Sequence, residues 1–172
     1  MRRFFKKEYS LKELNFFRYL SRVQLFEKLN YDEMALFRPY FYLRTYKADE
    51  AVFFRNDPSN ALYLVKSGKV ALSIDIKDNF ETLMVIRSGD EFGENCLLKQ
   101  SHRLYSALVV SESSDIYVLP KVNIEDIFST HPKIKAKMME SLSEMYNDFN
   151  SRLFKSYKTS FGFFELNQAF KS

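Results

Sequence analysis

Glu94 and Arg103, a carboxylate and a guanidinium nine residues apart, are the side chains of this 172-residue chain best placed to hold a phosphate and a sugar. They sit in the stretch GDEFGENCLLKQSHRLYS, from Gly89 to Ser106. Gly93 follows Phe92 and can adopt backbone angles that a residue with a Cβ avoids, so the chain can turn sharply and bring its amides close to a ligand. Glu94 can accept hydrogen bonds from sugar hydroxyls. The run from Asn95 through Cys96 to Lys99 has the length of one helical turn, whose first unpaired N–H groups suit a phosphate anion. Arg103 adds a positive charge and a planar donor fork. None of these residues is informative alone; their order and spacing carry the signal.

Such a turn needs a rigid frame. From Leu11 to about Tyr42 the apolar residues Leu14, Phe17, Leu20, Leu25 and Leu29 recur at helical spacing, and Asn30 with Glu33 has the form of a capping box opening a further short helix. Over 42–120 the pattern changes to short apolar runs at 51–54, 61–65, 70–76, 82–87, 106–110 and 115–119. Turn sequences separate them: Asn56-Asp57-Pro58, Ser67-Gly68, Asp78-Asn79 and Ser88-Gly89-Asp90. Strands at this spacing form a sandwich, barrel or roll. A short helix near 123–128 follows, and Pro132 is suited to the first position of a long helix over 132–155. Along that helix Ile134, Met138, Leu142, Met145, Phe149 and Leu153 form one apolar stripe, either a dimer seam or a face packed on its own domain. The tail at 156–172 holds Phe161, Phe163 and Phe164 and is expected to dock.

Composition narrows the class. Apolar residues make up 46% and charged residues 28%, the net charge is +4, and 18 Phe and 11 Tyr accompany no Trp, a balance that favours β structure with bulky packing. The basic cluster Arg2, Arg3, Lys6 and Lys7 is expected to be a solvated terminus. Cys96 is the single cysteine, so an intramolecular disulfide and a Cys-based zinc site are both excluded. No window approaches the ~20 apolar residues of a membrane span, and a cytoplasmic, unprocessed chain is expected. His102 and His131 are the only histidines, too few for the metal centre of a cupin-like enzyme. No nucleophile–base pair or carboxylate dyad stands out, so neither catalysis, nor a cofactor, nor a metal is expected.

Helices, a β-roll with an internal turn, and one long helix together resemble the cyclic nucleotide-binding domains of catabolite activator-type regulators, kinase regulatory subunits and gated channels. Leu25-Phe26-Glu27-Lys28-Leu29 is similar to the family's opening helix, Ala61 through Val70 to its central hairpin, and Ile116 through Pro120 to its last strand. The Gly89–Ser106 stretch resembles its phosphate-binding cassette. The resemblance implies an antiparallel β-roll or jelly roll of about eight strands, α+β and mainly β. It divides the chain into a helical extension at 1–21, the domain at 22–155 and the tail. It implies that Glu94 takes the ribose 2′-hydroxyl, that Cys96 lends its amide to the phosphate, and that Arg103 grips a phosphate oxygen, with Phe92, Gly93, Asn95, Leu104, Tyr105 and Ser106 around the ligand. Met139, Leu142 and Tyr146 are the lid it implies on the long helix.

The chain departs from the family pattern in ways that bear on function. Asp49 and Asn56 replace two turn glycines, and both residue types tolerate the left-handed conformation. Asn95 replaces an aliphatic residue and His102 a proline. Leu104 and Tyr105 follow Arg103 where the family has two small residues. Counting back from Pro120 puts Leu104 at the arginine position; counting forward from Glu94 puts Arg103 there, at the cost of a one-residue bulge. The expected function is a regulatory domain that binds cyclic AMP or cyclic GMP and signals through a C-terminal helix, with a homodimer along that helix. The alternative is a descendant of the fold that binds no nucleotide and serves as a protein-interaction domain. The residues after Lys155 show no helix-turn-helix pattern, so specific DNA readout is not expected.

Overall fold

A computed structural model describes residues 8–76 and 79–161. The N-terminal helices begin where the sequence supplies caps. Helix α1 (Leu11–Leu20) is opened by a capping box in which the Ser10 amide donates to Glu13 Oε2 at 2.8 Å. Helix α2 (Tyr31–Phe37) is opened by the expected Asn30–Glu33 box, each residue's amide bonded to the other's side chain at 2.9 Å. Between them the chain makes a 3₁₀ turn over Gln24–Phe26, which buries Leu25 and Phe26 completely.

Eight strands follow: β1 (Tyr42–Lys47), β2 (Ala51–Phe53), β3 (Ala61–Ser67), β4 (Lys69–Ile76), β5 (Asn79–Arg87), β6 (Glu91–Phe92), β7 (Ser106–Val109) and β8 (Ser113–Pro120). They form two four-stranded antiparallel sheets, ordered β1-β8-β3-β6 and β2-β7-β4-β5, the β-roll implied by the resemblance. All six apolar runs fall on strands, with Phe54 and Val110 one residue beyond the ends of β2 and β7. β1 and β6 are the two that the runs did not mark: β1 is exposed at every position except Tyr46, and β6 has only two residues. Asp49 and Asn56 adopt φ of 65° and 70°, so both carry the left-handed turns that glycine fills in the family. In the Asp78-Asn79 turn, Asp78 lies outside the described residues.

Helix α3 (Lys121–Thr130) leads directly to α4 (Pro132–Phe161), which starts at Pro132 as expected but runs past Lys155, since no glycine or proline interrupts it. Its apolar stripe divides in two. Ile134, Met138 and Leu142 are buried in the helical core where α4 packs on α3 and the 3₁₀ turn, whereas Phe149 and Leu153 are 57% and 51% exposed. Lys28 Nζ, 2.8 Å from Glu144, and Lys137 Nζ, 2.7 Å from Glu33, fasten the first half of α4 to the N-terminal layer. Of the two readings of the stripe, packing on its own domain holds for the first half. The basic cluster at Arg2–Lys7 and the phenylalanines Phe163 and Phe164 lie outside the described residues, as does the side chain of Phe161.

Candidate functional site

Strand β6 delivers the chain to Gly93, whose φ of 73° and ψ of 21° are left-handed, as the sharp turn requires. A 3₁₀ turn over Glu94–Leu97 follows, one residue earlier than the turn expected from Asn95, with the Cys96 amide donating to the Gly93 carbonyl at 3.1 Å. A Cβ on Gly93 would stand 2.4 Å from Arg103 Nη1, so the glycine also makes room for the guanidinium. Cys96 is buried, and burial pushes its thiol up to about 12. Just ahead of the turn, Glu91 accepts a hydrogen bond from the Leu25 amide at 3.3 Å, and burial pushes its carboxyl up to about 7.

Arg103 is the inward residue. Its backbone pairs with the 56–57 turn, Asn56 N–H donating to the Arg103 carbonyl and Arg103 N–H to the Asp57 carbonyl, each at 2.9 Å. From there Arg103, Tyr105, Ala107 and Val109 face the roll interior, while Leu104 is 69% exposed. This settles the register in favour of the spacing from Glu94. It also corrects the inclusion of Leu104 in the site, because strand alternation turns that side chain to solvent.

The guanidinium is 3% exposed. Nη1 donates to the Gly93 carbonyl at 2.9 Å and to Asn95 Oδ1 at 3.3 Å, and Nη2 donates to the Ala61 carbonyl at 2.7 Å. Its Cζ lies 4.2 Å from the Phe53 ring centroid and 5.3 Å from that of Tyr63. Nε has no hydrogen-bond partner, and among the described residues no carboxylate forms an ion pair with the group. A charge withdrawn from water and left with only neutral acceptors is expensive, on the order of several kcal/mol. An anion beside it would offset that cost.

Glu94 is held at both oxygens by phenols. The Tyr105 hydroxyl accepts from the Gly93 amide at 3.1 Å and donates to Glu94 Oε2 at 3.3 Å, while the Tyr146 hydroxyl, from α4, donates to Oε1 at 3.4 Å. Burial raises both phenols, so they remain protonated donors near neutrality. Asn95, buried where an aliphatic residue was expected, is a hub: Oδ1 accepts from Ser59 Oγ at 2.7 Å and Nδ2 donates to the His102 carbonyl at 2.7 Å. Ser106 Oγ accepts from the Arg55 amide at 3.0 Å, and Phe92 stacks on Tyr63 at 5.1 Å. Of the three lid residues, Tyr146 reaches the turn, Met139 packs partly buried on the helical layer, and Leu142 is core. Phe53, Tyr63 and the Ala61 carbonyl were not foreseen; only the pairing of Tyr63 with Phe92 across β3 and β6 brings that ring to the site.

The sequence profile described as "Cyclic nucleotide-binding domain" matches residues 43–131. The chain belongs to the cyclic nucleotide-binding domain family. Its domain is 37% identical over 90 residues to a cyclic AMP receptor protein of Thermus thermophilus, covering 52% of this chain and 42% of that relative. The chain thus spans about two fifths of that relative's length. Among solved structures, this cyclic nucleotide-binding domain resembles Thermus thermophilus catabolite activator protein at a TM-score of 0.65 and 28% identity, over 78% of this chain and 64% of that one. It shares the fold of the Toxoplasma gondii PKA regulatory domain crystallised with cAMP, at a TM-score of 0.63 and 23% identity, over 70% and 46% of the two chains. Among the described residues no helix is long and apolar enough to cross a membrane, and no cluster of His, Cys, Asp and Glu forms a metal centre.

Proposed function

We propose that this domain is a non-enzymatic sensor of a cyclic nucleotide, cyclic AMP first, and that it passes the signal on through α4. The observation that carries this reading is Arg103: a buried guanidinium with no carboxylate partner and an unpartnered Nε, set against a glycine turn whose missing side chain makes room for it. A cyclic phosphate is an anion of the right size to neutralise it, at the turn formed by Gly93–Cys96. Glu94 would then take a ribose hydroxyl and the base would meet α4 near Met139. No metal or cofactor has a part in this scheme. The exposed Phe149 and Leu153 on the second half of α4 support a homodimer through that half, and the single cysteine suits a reducing cytoplasm.

A second reading has its own support. The Tyr105 hydroxyl already occupies the Gly93 amide and one oxygen of Glu94, as in a fold that keeps its shape without a nucleotide and serves as an interaction domain. Isothermal titration with cyclic AMP and then cyclic GMP separates the two. Micromolar binding, weakened by one to two orders of magnitude in Arg103→Ala, is expected from the loss of a charge-assisted bond of about 1.5–3 kcal/mol. Binding with unchanged affinity in the variant removes Arg103 from the site, and no heat with either nucleotide favours the interaction domain.

A further inference from the structure

Tyr105 and Tyr146 converge on one carboxylate from two elements far apart in the sequence. Tyr105 immediately precedes β7; Tyr146 stands on α4, two turns beyond Met139. Each phenol reaches a different oxygen of Glu94, and Tyr105 also takes the Gly93 amide. Glu94 therefore has both oxygens engaged, and the hydroxyl groups that engage it are of the same chemical kind as those of a sugar. We infer that the two tyrosines form an internal latch that stands in for the ligand's ribose and ties α4 to the Gly93 turn until a nucleotide displaces them. The inference rests on the proposed nucleotide site and concerns how that site is regulated.

The lengths suit a latch rather than a permanent tie. At 3.3 and 3.4 Å both O–H···O contacts are longer than the 2.7–2.8 Å that such bonds prefer. A ribose hydroxyl that approaches Glu94 more closely makes the better bond, so exchange favours the ligand. Displacement has a mechanical consequence. Tyr146 is the polar connection between α4 and Glu94, and when the ribose replaces it the helix loses its hold on the turn while the apolar contacts of Met138 and Leu142 remain. Occupancy of the site is thereby converted into freedom of α4 beyond Leu142. The latch also lowers apparent affinity, because a ligand must break it to enter.

The test is titration of the full chain with cyclic AMP in the wild type, Tyr105→Phe and Tyr146→Phe, together with amide hydrogen exchange along α4. Tyr105→Phe keeps the ring and removes only the hydroxyl; three- to tenfold tighter binding is expected. Tyr146→Phe should bind more tightly by a smaller factor, and its free form should exchange α4 amides near residue 146 as fast as the nucleotide-bound wild type. Tighter binding in either variant where the wild type binds weakly supports the latch. If the wild type binds and neither variant binds more tightly, the latch is wrong and the nucleotide site stands. If the wild type and both variants bind nothing, the nucleotide site falls and the latch falls with it. Tyr146→Phe alters a partly exposed side chain, so it tests the inference even if Tyr105→Phe disturbs folding.

Discussion

The domain holds two aromatic interiors of opposite character. The helical layer packs Phe16, Phe17, Phe26, Phe37 and Phe41 with Leu20, Leu25 and Met34, edge to face at points such as Phe26 on Phe37, 5.4 Å apart at 86°. The interior of the roll stacks Phe53, Tyr63 and Phe92, but sets the Arg103 guanidinium over them and Tyr105 beside them. The first is built of hydrocarbon side chains with tyrosines at its margin; the second spends stability to keep a cation, phenols and an amide away from water. The contrast separates what holds the molecule together from what it is for. One interior fixes the position of the Gly93 turn, and the other leaves that turn chemically unfinished.

The comparison breaks most readily at Phe26. Phe26→Ala removes a fully buried ring from the helical layer and is expected to cost about 3–5 kcal/mol in urea denaturation. A cost near 1 kcal/mol would mean that this layer is loosely packed and the contrast is false. Next in size is Glu91, at the boundary between the two interiors. Its folded-state pKa of about 7 lies above the ordinary value of 4.5, so the folded chain holds the proton more tightly than the unfolded one. Its contribution to stability is complete below pH 4.5 and is lost as pH rises through 7, an effect of roughly 2–3 kcal/mol. Glu91→Gln should flatten the pH dependence of stability across that window while retaining the acceptor for the Leu25 amide; an unchanged profile would place the titration elsewhere. The smallest effect is expected at Arg103. Arg103→Met removes a desolvated charge but takes the guanidinium donor from the Ala61 carbonyl and leaves the Gly93 carbonyl only the Cys96 amide, so the two terms nearly cancel and stability should change by about 1 kcal/mol or less. A loss above ~3 kcal/mol would make the guanidinium a structural tie rather than a ligand group.

The frame of the domain was legible in the sequence because its signals are local. The Asn30–Glu33 box, Pro132 at a helix start and Asp49 and Asn56 in left-handed turns each act within a few residues of themselves. The site was legible only in part. Gly93, Glu94, Cys96 and Arg103 are contiguous enough to be read as a set, and the spacing from Glu94 pointed to the correct inward residue. What escaped is what depends on pairing across the roll. Leu104 was placed in the pocket because alternation cannot be assigned before the segment's partner, the 56–57 turn, is known. Phe53 and Tyr63, the rings beneath the guanidinium, come from strands more than 35 residues away in sequence. The dividing point of the long helix escaped for a related reason: an even stripe from Ile134 to Leu153 carries no mark of where the body of the domain ends and solvent begins.

Cys96 gives the molecule a reporter of its own. It is the one sulfhydryl in the chain, it lies in the turn that would cradle the ligand, and its burial keeps the reactive thiolate scarce in the closed form. An alkylating reagent therefore consumes molecules only at moments when the turn swings open. The speed of that consumption counts those moments directly, with no label added and no residue changed.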